Sequence, residues 1–221
     1  DSATLRENVV ALARNIGYVP RSRKAAMATI NFFVDTTSIT PTPSTITLRK
    51  GVVAASTGTF AGQSFVFSIL EDVTVPIFDG IAFFDDLEIH EGVLLESNFT
   101  YSSTNLNQRF ILPNSGIDTD LIRVSVKNNQ SSTAAAKYSL QDSLFDINNE
   151  SKVFFLQEIE DERYEIIFGD GIFGKKLEEG TFIEVGYITS NGDSANGISQ
   201  FTFAGRIAYN RNSVEYTVTS G

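Results

Sequence analysis

Few residues in this 221-residue chain can do chemistry, and their spacing limits what that chemistry could be. There is one histidine, His90, and no cysteine. The lack of Cys removes thiolate metal ligands, cysteine nucleophiles and disulfides together. His90 sits in Leu87-Glu88-Ile89-His90-Glu91-Gly92, where Glu91 stands beside it as a partner for general-base work. A histidine at a strand end before a glycine turn also reads simply as an exposed side chain. No Gly-x-Ser-x-Gly elbow, phosphate-binding glycine loop or histidine-rich metal spacing occurs. Among the carboxylates, Asp85 and Asp86 are neighbours and should face opposite sides of a strand. Glu158, Glu160 and Glu162 share one parity but fit a solvated hairpin turn. Asp161 with Asp170 could hold Ca²⁺, yet the dense Asp/Asn ladder of a calcium loop is missing. The expectation is therefore no catalytic residue, no cofactor, no metal and no small-molecule substrate.

The elements that would position these groups are strands. Within 153–197, Tyr164, Ile166 and Phe168 alternate with Arg163, Glu165 and Ile167, the period of a half-buried strand. Gly169-Asp170-Gly171 is expected to turn a β-hairpin, because Asp-Gly is a favoured hairpin dipeptide. Gly174 and Gly180 mark further breaks, and Ile183, Val185 and Tyr187 supply the next inward face, with Glu184 pointing away. Asp170 is read as a turn residue bonded to nearby backbone N–H groups. A β-branched residue at Gly171 would lower stability by a few kcal/mol at most.

Ahead of this block, Ala28, Ile30, Phe32 and Val34 form the inward face of a first strand. Strand-like segments follow at 45–48, 52–55, 63–70, 73–78, 81–84 and 94–101, then at 110–112, 122–126 and, weakly, 137–140. The residues 128–136 read as a polar loop and 142–150 as turn-rich. Two last strands, 201–207 and 214–218, are too short to stand alone and are expected to return to the first sheet. Glycine and proline punctuation at these short intervals predicts a mainly β protein of antiparallel sandwich or barrel-like units, with one N-terminal helix. Three units are expected: a helix and connector at 1–24, a first β domain at 25–103 plus 192–221, and a second, inserted β domain at 104–191.

The helix is predicted from Thr4-x-x-Glu7, a capping box, and from Leu5, Val9, Leu12 and Ile16, which form one apolar stripe closed by Gly17 and Pro20. The stripe packs either on its own domain or on a partner. Arg21, Arg23 and Lys24 follow as a basic connector, solvated or facing an acidic neighbour.

Composition sets outer limits. With 17 basic and 27 acidic residues the net charge is −10, which argues against nucleic-acid binding, since that would need a basic face to displace counterions. No apolar run approaches the ~20 residues of a helical membrane span. The 18 Phe and 7 Tyr, beside many Thr, Val and Ile, are a strand-forming palette. The opening on Asp1 rather than Met is read as that of an excised fragment.

Two blocks carry a resemblance. Phe168-Gly169-Asp170-Gly171, then Gly174, Gly180, Ile183-Glu184-Val185-Gly186-Tyr187 and Asn196-Gly197 resemble the baseplate J-like family, the wedge proteins of contractile phage tails and related injection machines. The run 5–20, a helix followed by Gly17-Tyr18-Val19-Pro20, is similar to the entry of the same family, particularly its T4-like phage members. The blocks keep the family order; 38–151 matches no motif. The resemblance implies a structural subunit of the tail baseplate, assembled in the host cytoplasm and located in the virion. It implies contacts with other wedge subunits and with copies of itself, as a dimer within a ring around the hub that helps transmit the trigger for sheath contraction. The N-terminal helix, through Leu5, Val9, Leu12 and Ile16, would be the partner-facing element. Two rival readings come from the residues alone: a glycan- or receptor-binding β-sandwich of a tail or surface adhesin, and a hydrolase with a carboxylate pair.

Overall fold

The computed structural model describes residues 22–58, 62–211 and 214–218. The predicted helix with Thr4, Glu7, Leu5, Val9, Leu12 and Ile16 lies outside them. The described chain is mainly β, with sixteen strands and three short 3-10 turns. It divides into two compact units, one comprising 22–23 and Glu96–Tyr187, the other Lys24–Leu95 and 188–218. The first interrupts the second in sequence. The divisions fall at 95/96 and 187/188, within strands, where turn punctuation had suggested 103/104 and 191/192.

The outer unit is built on β1 (Met27–Asp35), β2 (Thr45–Leu48), β3 (Gly51–Ser56), β4 (Val66–Ile69), β5 (Val73–Phe78) and β6 (Ile81–Glu91). The order β14-β3-β4-β6-β5-β2-β15-β16 is completed by β14 (Phe201–Phe203), β15 (Ile207–Arg211) and β16 (Val214–Val218), so the last strands return to this sheet. Its core joins Ile46, Leu48, Val53, Phe67, Phe84 and Ile89, with Phe32 stacked on Phe84 at 4.7 Å.

β6 is the organising strand. It pairs with β1 along nearly its whole length, with β5 near its start and with β4 at its end. Such a strand has to bend, and it does so at a bulge: Ile30 opposes Leu87 and Phe32 opposes Phe84, leaving Asn31 opposite both Asp85 and Asp86. Asp86 takes φ +50°, and its N–H donates to Asn31 Oδ1 at 2.6 Å. The extra residue shifts the inward parity from Ala82 and Phe84 to Leu87, Ile89 and Glu91. Asp85 and Asp86 are consequently both exposed, not on opposite faces as strict alternation predicts. The entry to β6 is a two-residue hairpin at Asp79-Gly80, both at positive φ.

The inserted unit has the order β7-β13-β9-β10-β11-β12-β8, comprising β7 (Val93–Thr100), β8 (Phe110–Ile111), β9 (Arg123–Lys127), β10 (Ala135–Leu140), β11 (Val153–Glu158), β12 (Tyr164–Phe168) and β13 (Phe182–Thr189). The chain passes between units inside β7 and again inside β13. β13 with β9, β9 with β10, β11 with β12 and β12 with β8 pair antiparallel, whereas β10 and β11 run parallel, with Ser139 and Leu140 beside Val153 and Phe154. The sheet curls until rings from its two ends meet: Phe99 of β7 lies edge-on to Phe110 of β8 at 5.5 Å, and Phe110 and Tyr138 both pack on Phe168. Ser22, in the connector after the predicted helix, is fixed to this unit, with its Oγ accepting from Thr119 N at 3.0 Å. Arg23 reaches Glu162 at 3.7 Å, an exposed pair that contributes little.

Candidate interaction site

The predicted inward residues Tyr164 and Ile166 are buried on β12 and Ile183, Val185 and Tyr187 on β13. Between these strands the chain does not form the expected hairpin. β12 pairs with β11 and β8, whereas β13 pairs with β9 and neighbours β7. Gly169-Asp170-Gly171 instead opens a folded loop. Asp170 Oδ1 accepts from the N–H groups of Ile172 at 2.8 Å and Phe173 at 2.9 Å. Gly171, at φ +93°, donates its N–H to Gly174 O at 3.1 Å. Gly174 N–H then reaches Asn148 O at 3.0 Å and Lys175 N–H reaches Ser151 O at 2.8 Å, clasping the loop to the turn before β11. A parallel bridge between Gly169 and Lys176 closes it.

The glycines have distinct jobs. A Cβ at Gly169 would lie 2.2 Å from the carbonyl carbon of Gly174, so the backbones touch and no side chain fits. A Cβ at Gly171 would meet nothing nearer than 3.6 Å, and only its dihedral requires glycine. The Asp170 carboxyl is held below its ordinary range by the Phe173 N–H first and the Ile172 N–H second, with Lys176 adding a favourable charge. The loop thereby presents two apolar side chains outward, Ile172 at 69% exposure and Phe173 at 45%.

A second apolar surface lies on the outer unit. Phe33 on β1 and Phe83 on β6 are cross-strand partners with rings 6.2 Å apart, and Phe78 faces outward on β5 beside them. Phe33, Phe78 and Phe83 are each at least half exposed. Aromatic side chains sharing one solvent-facing sheet surface are a mark of interaction surfaces.

The groups weighed for catalysis are kept apart. His90 and Glu91 are consecutive within β6, which extends beyond the expected end at Phe84. Glu91 points inward at 1% exposure while His90 is half-buried on the opposite side, so they cannot work as a pair. Glu91 is fully engaged: its Oε2 accepts from Ser190 Oγ at 2.6 Å and Asn191 N at 3.0 Å, its Oε1 from Asn191 Nδ2 at 2.9 Å. This buried cluster holds the returning segment to β6 and was not legible as such, because Ser190 and Asn191 are about a hundred residues away in sequence. Asp161 pairs weakly with Arg163 at 3.5 Å and takes φ +62° in the β11–β12 turn; Glu160–Glu162 forms the bend, whereas Glu158, expected in the same solvated turn, is the last residue of β11, half-buried and paired with Tyr164. Among the described residues no group of three or more His, Asp or Glu is placed to hold a metal ion. No helix among them is long and apolar enough to cross a membrane, which says nothing of a strand-built pore. No family model matches the chain, and no curated protein matches it significantly.

Proposed function

We propose that the protein is a structural assembly subunit, a wedge component of a contractile-tail baseplate that joins copies of itself and other wedge subunits in a ring around the hub. The observation that carries this reading is the outward aromatic surface of Phe33, Phe78 and Phe83 on a sheet whose opposite face is already packed. An apolar surface of this kind is stabilised by being covered, and burial of each ring contributes on the order of 2 kcal/mol. The two ordered sequence blocks that resemble the baseplate J-like family supply the identity of the partner. The inserted unit adds a second apolar contact at Ile172 and Phe173, on a loop held by its own hydrogen bonds. On this reading the protein is not an enzyme.

The test is co-purification of the tagged chain with the wedge subunits of its own tail, beside a Phe33→Ser/Phe78→Ser/Phe83→Ser variant. Stoichiometric retention of wedge subunits by the wild type and their loss in the variant are expected. A parallel variant with Leu5, Val9, Leu12 and Ile16 made polar tests the helix as the coupling element. Retention of cell-surface glycan with no wedge subunit would replace this reading with the adhesin-like one.

A further inference from the structure

The chain is acidic, with a net charge of −10, yet three of its seven lysines border one concavity of about 180 Å³ in the inserted unit. Lys175 and Lys176 come from the glycine loop, and Lys152 from the residue just before β11. Asn128, Tyr138 of β10, Thr181 and Glu178 complete the polar wall. Gathering like charges costs free energy unless something opposes it. The opposition within the chain is slight: Lys175 meets Glu150 at 3.7 Å, a carboxylate 74% exposed, and Asp170 acts on Lys176 through its charge. Among the described residues the side-chain ammonium groups of Lys152 and Lys176 make no hydrogen bond or ion pair, although Lys152 O accepts from Ser139 N at 3.0 Å.

The scaffold beneath these lysines is firm. Lys176 is bridged to Gly169, and Lys175 donates its N–H to Ser151 O at 2.8 Å, so the backbone that carries both ammonium groups is pinned on two sides. The floor offers hydroxyl donors. Burial, and then the charges of Glu178 and Glu150, push the Tyr138 phenol above its ordinary range, so it stays an O–H donor at neutral pH. Thr181, itself buried, adds a second hydroxyl. Glu178 is the one carboxylate in the lining, while Glu150 opposes Lys175 and Asp170 opposes Lys176 from outside it, and the volume is well below the roughly 300 Å³ where drug-sized pockets begin.

We propose that this concavity binds a compact oxyanion of phosphate or carboxylate type, held by Lys152, Lys175 and Lys176 with the Tyr138 hydroxyl donating from the floor. The glycine loop then has a second task, since the fold that turns out Ile172 and Phe173 also aims two lysines at the concavity. This site does not depend on the assembly reading, and either can fail alone.

The experiment is an amide-shift titration of the full chain with sodium phosphate and, separately, with citrate, at ionic strength held constant with sodium chloride. Saturable shifts centred on Tyr138, Lys152, Lys175, Lys176 and Leu177 are expected with at least one anion. Phosphate alone would assign a tetrahedral oxyanion, citrate alone a carboxylate. In Lys152→Gln/Lys175→Gln/Lys176→Gln, affinity should fall at least about tenfold, which corresponds to ~1.4 kcal/mol. The single Lys152→Gln variant, at an exposed position outside the glycine loop itself, should weaken binding measurably with an unchanged spectrum elsewhere. Shifts that match the sodium chloride control for both anions, or saturable shifts that persist unchanged in the triple variant, would overturn the proposal.

Discussion

Glu91 in the outer unit and Asp170 in the inserted unit do the same thing in different surroundings. Each carboxyl gathers nearby donors, Glu91 from Ser190 and Asn191, Asp170 from Ile172 and Phe173. Glu91 is sealed from water at 1% exposure, whereas Asp170 is exposed. Removing a buried acceptor strands its donors without solvent; removing an exposed one lets water take its place. The Glu91 cluster therefore holds a fold together, and the Asp170 cluster shapes a surface. Number and length of hydrogen bonds would not reveal the difference; burial does.

That contrast can be broken most directly at Glu91. Glu91→Ala leaves the buried Ser190 hydroxyl without its acceptor and should cost about 3 kcal/mol, read as a lowered urea midpoint, with Glu91→Gln intermediate because one acceptor oxygen remains. A loss under ~1 kcal/mol for Glu91→Ala would mean that the returning segment is held by its apolar contacts alone. Next in size, Gly169→Ala forces a methyl against the Gly174 carbonyl and should cost roughly 2 kcal/mol, with faster hydrogen exchange at Gly174 and Lys175. Gly171→Ala adds the same methyl at an ordinary van der Waals distance of 3.6 Å from the Lys176 side chain and meets only the dihedral penalty of about 1 kcal/mol, and Gly171→Val somewhat more. Equal losses at 169 and 171 would contradict the division between contact and dihedral. An unchanged melting temperature in Gly171→Val would remove the case for strain at that residue.

The smallest effect is the pH dependence of Asp170. Its folded-state carboxyl is depressed below the ordinary value of 3.8, so its stabilisation is present above that value and is lost as pH falls through the folded midpoint. The Ile172 and Phe173 amide shifts should titrate together with a midpoint under 3.8, and in Asp170→Asn that transition should vanish. A midpoint at or above 3.8 would show that the two N–H groups do not favour the charged form.

Much of the strand pattern was legible because alternation records which face is buried: 45–48 and 73–78 coincide with β2 and β5. β6 was truncated in the sequence reading because its bulge places Asp85 and Asp86 together and resets the parity, and a run of charged residues then resembles a turn. The Asp-Gly signal was ambiguous for a similar reason. Asp79-Gly80 closes a two-residue hairpin with both residues at positive φ, while Asp170-Gly171 opens a folded loop whose outcome depends on Gly174 fitting against Gly169. Two dipeptides with one local preference diverge through contacts that no local rule records. The parallel pairing of β10 with β11 was equally hidden, since parallel and antiparallel neighbours share the same side-chain period. As for the candidate site, its turn residues were visible in the sequence. The lysine concavity and the Phe33–Phe83 surface were not, because both need the register between strands.

The interruption of one unit by the other also sets an order of events at the ribosome. Glu96–Tyr187 is an uninterrupted stretch and can condense as it emerges, whereas β2 and β3 must wait for β15 and β14 to be synthesised after it. Until then those strands leave edges exposed that invite neighbouring nascent chains. Early condensation of the inserted stretch would shorten the effective tether between the two halves and lower the entropy cost of closing the outer sheet. The insertion would thus serve its host as an internal chaperone, and swapping it for a flexible linker of equal length should slow maturation far more than it alters the finished fold.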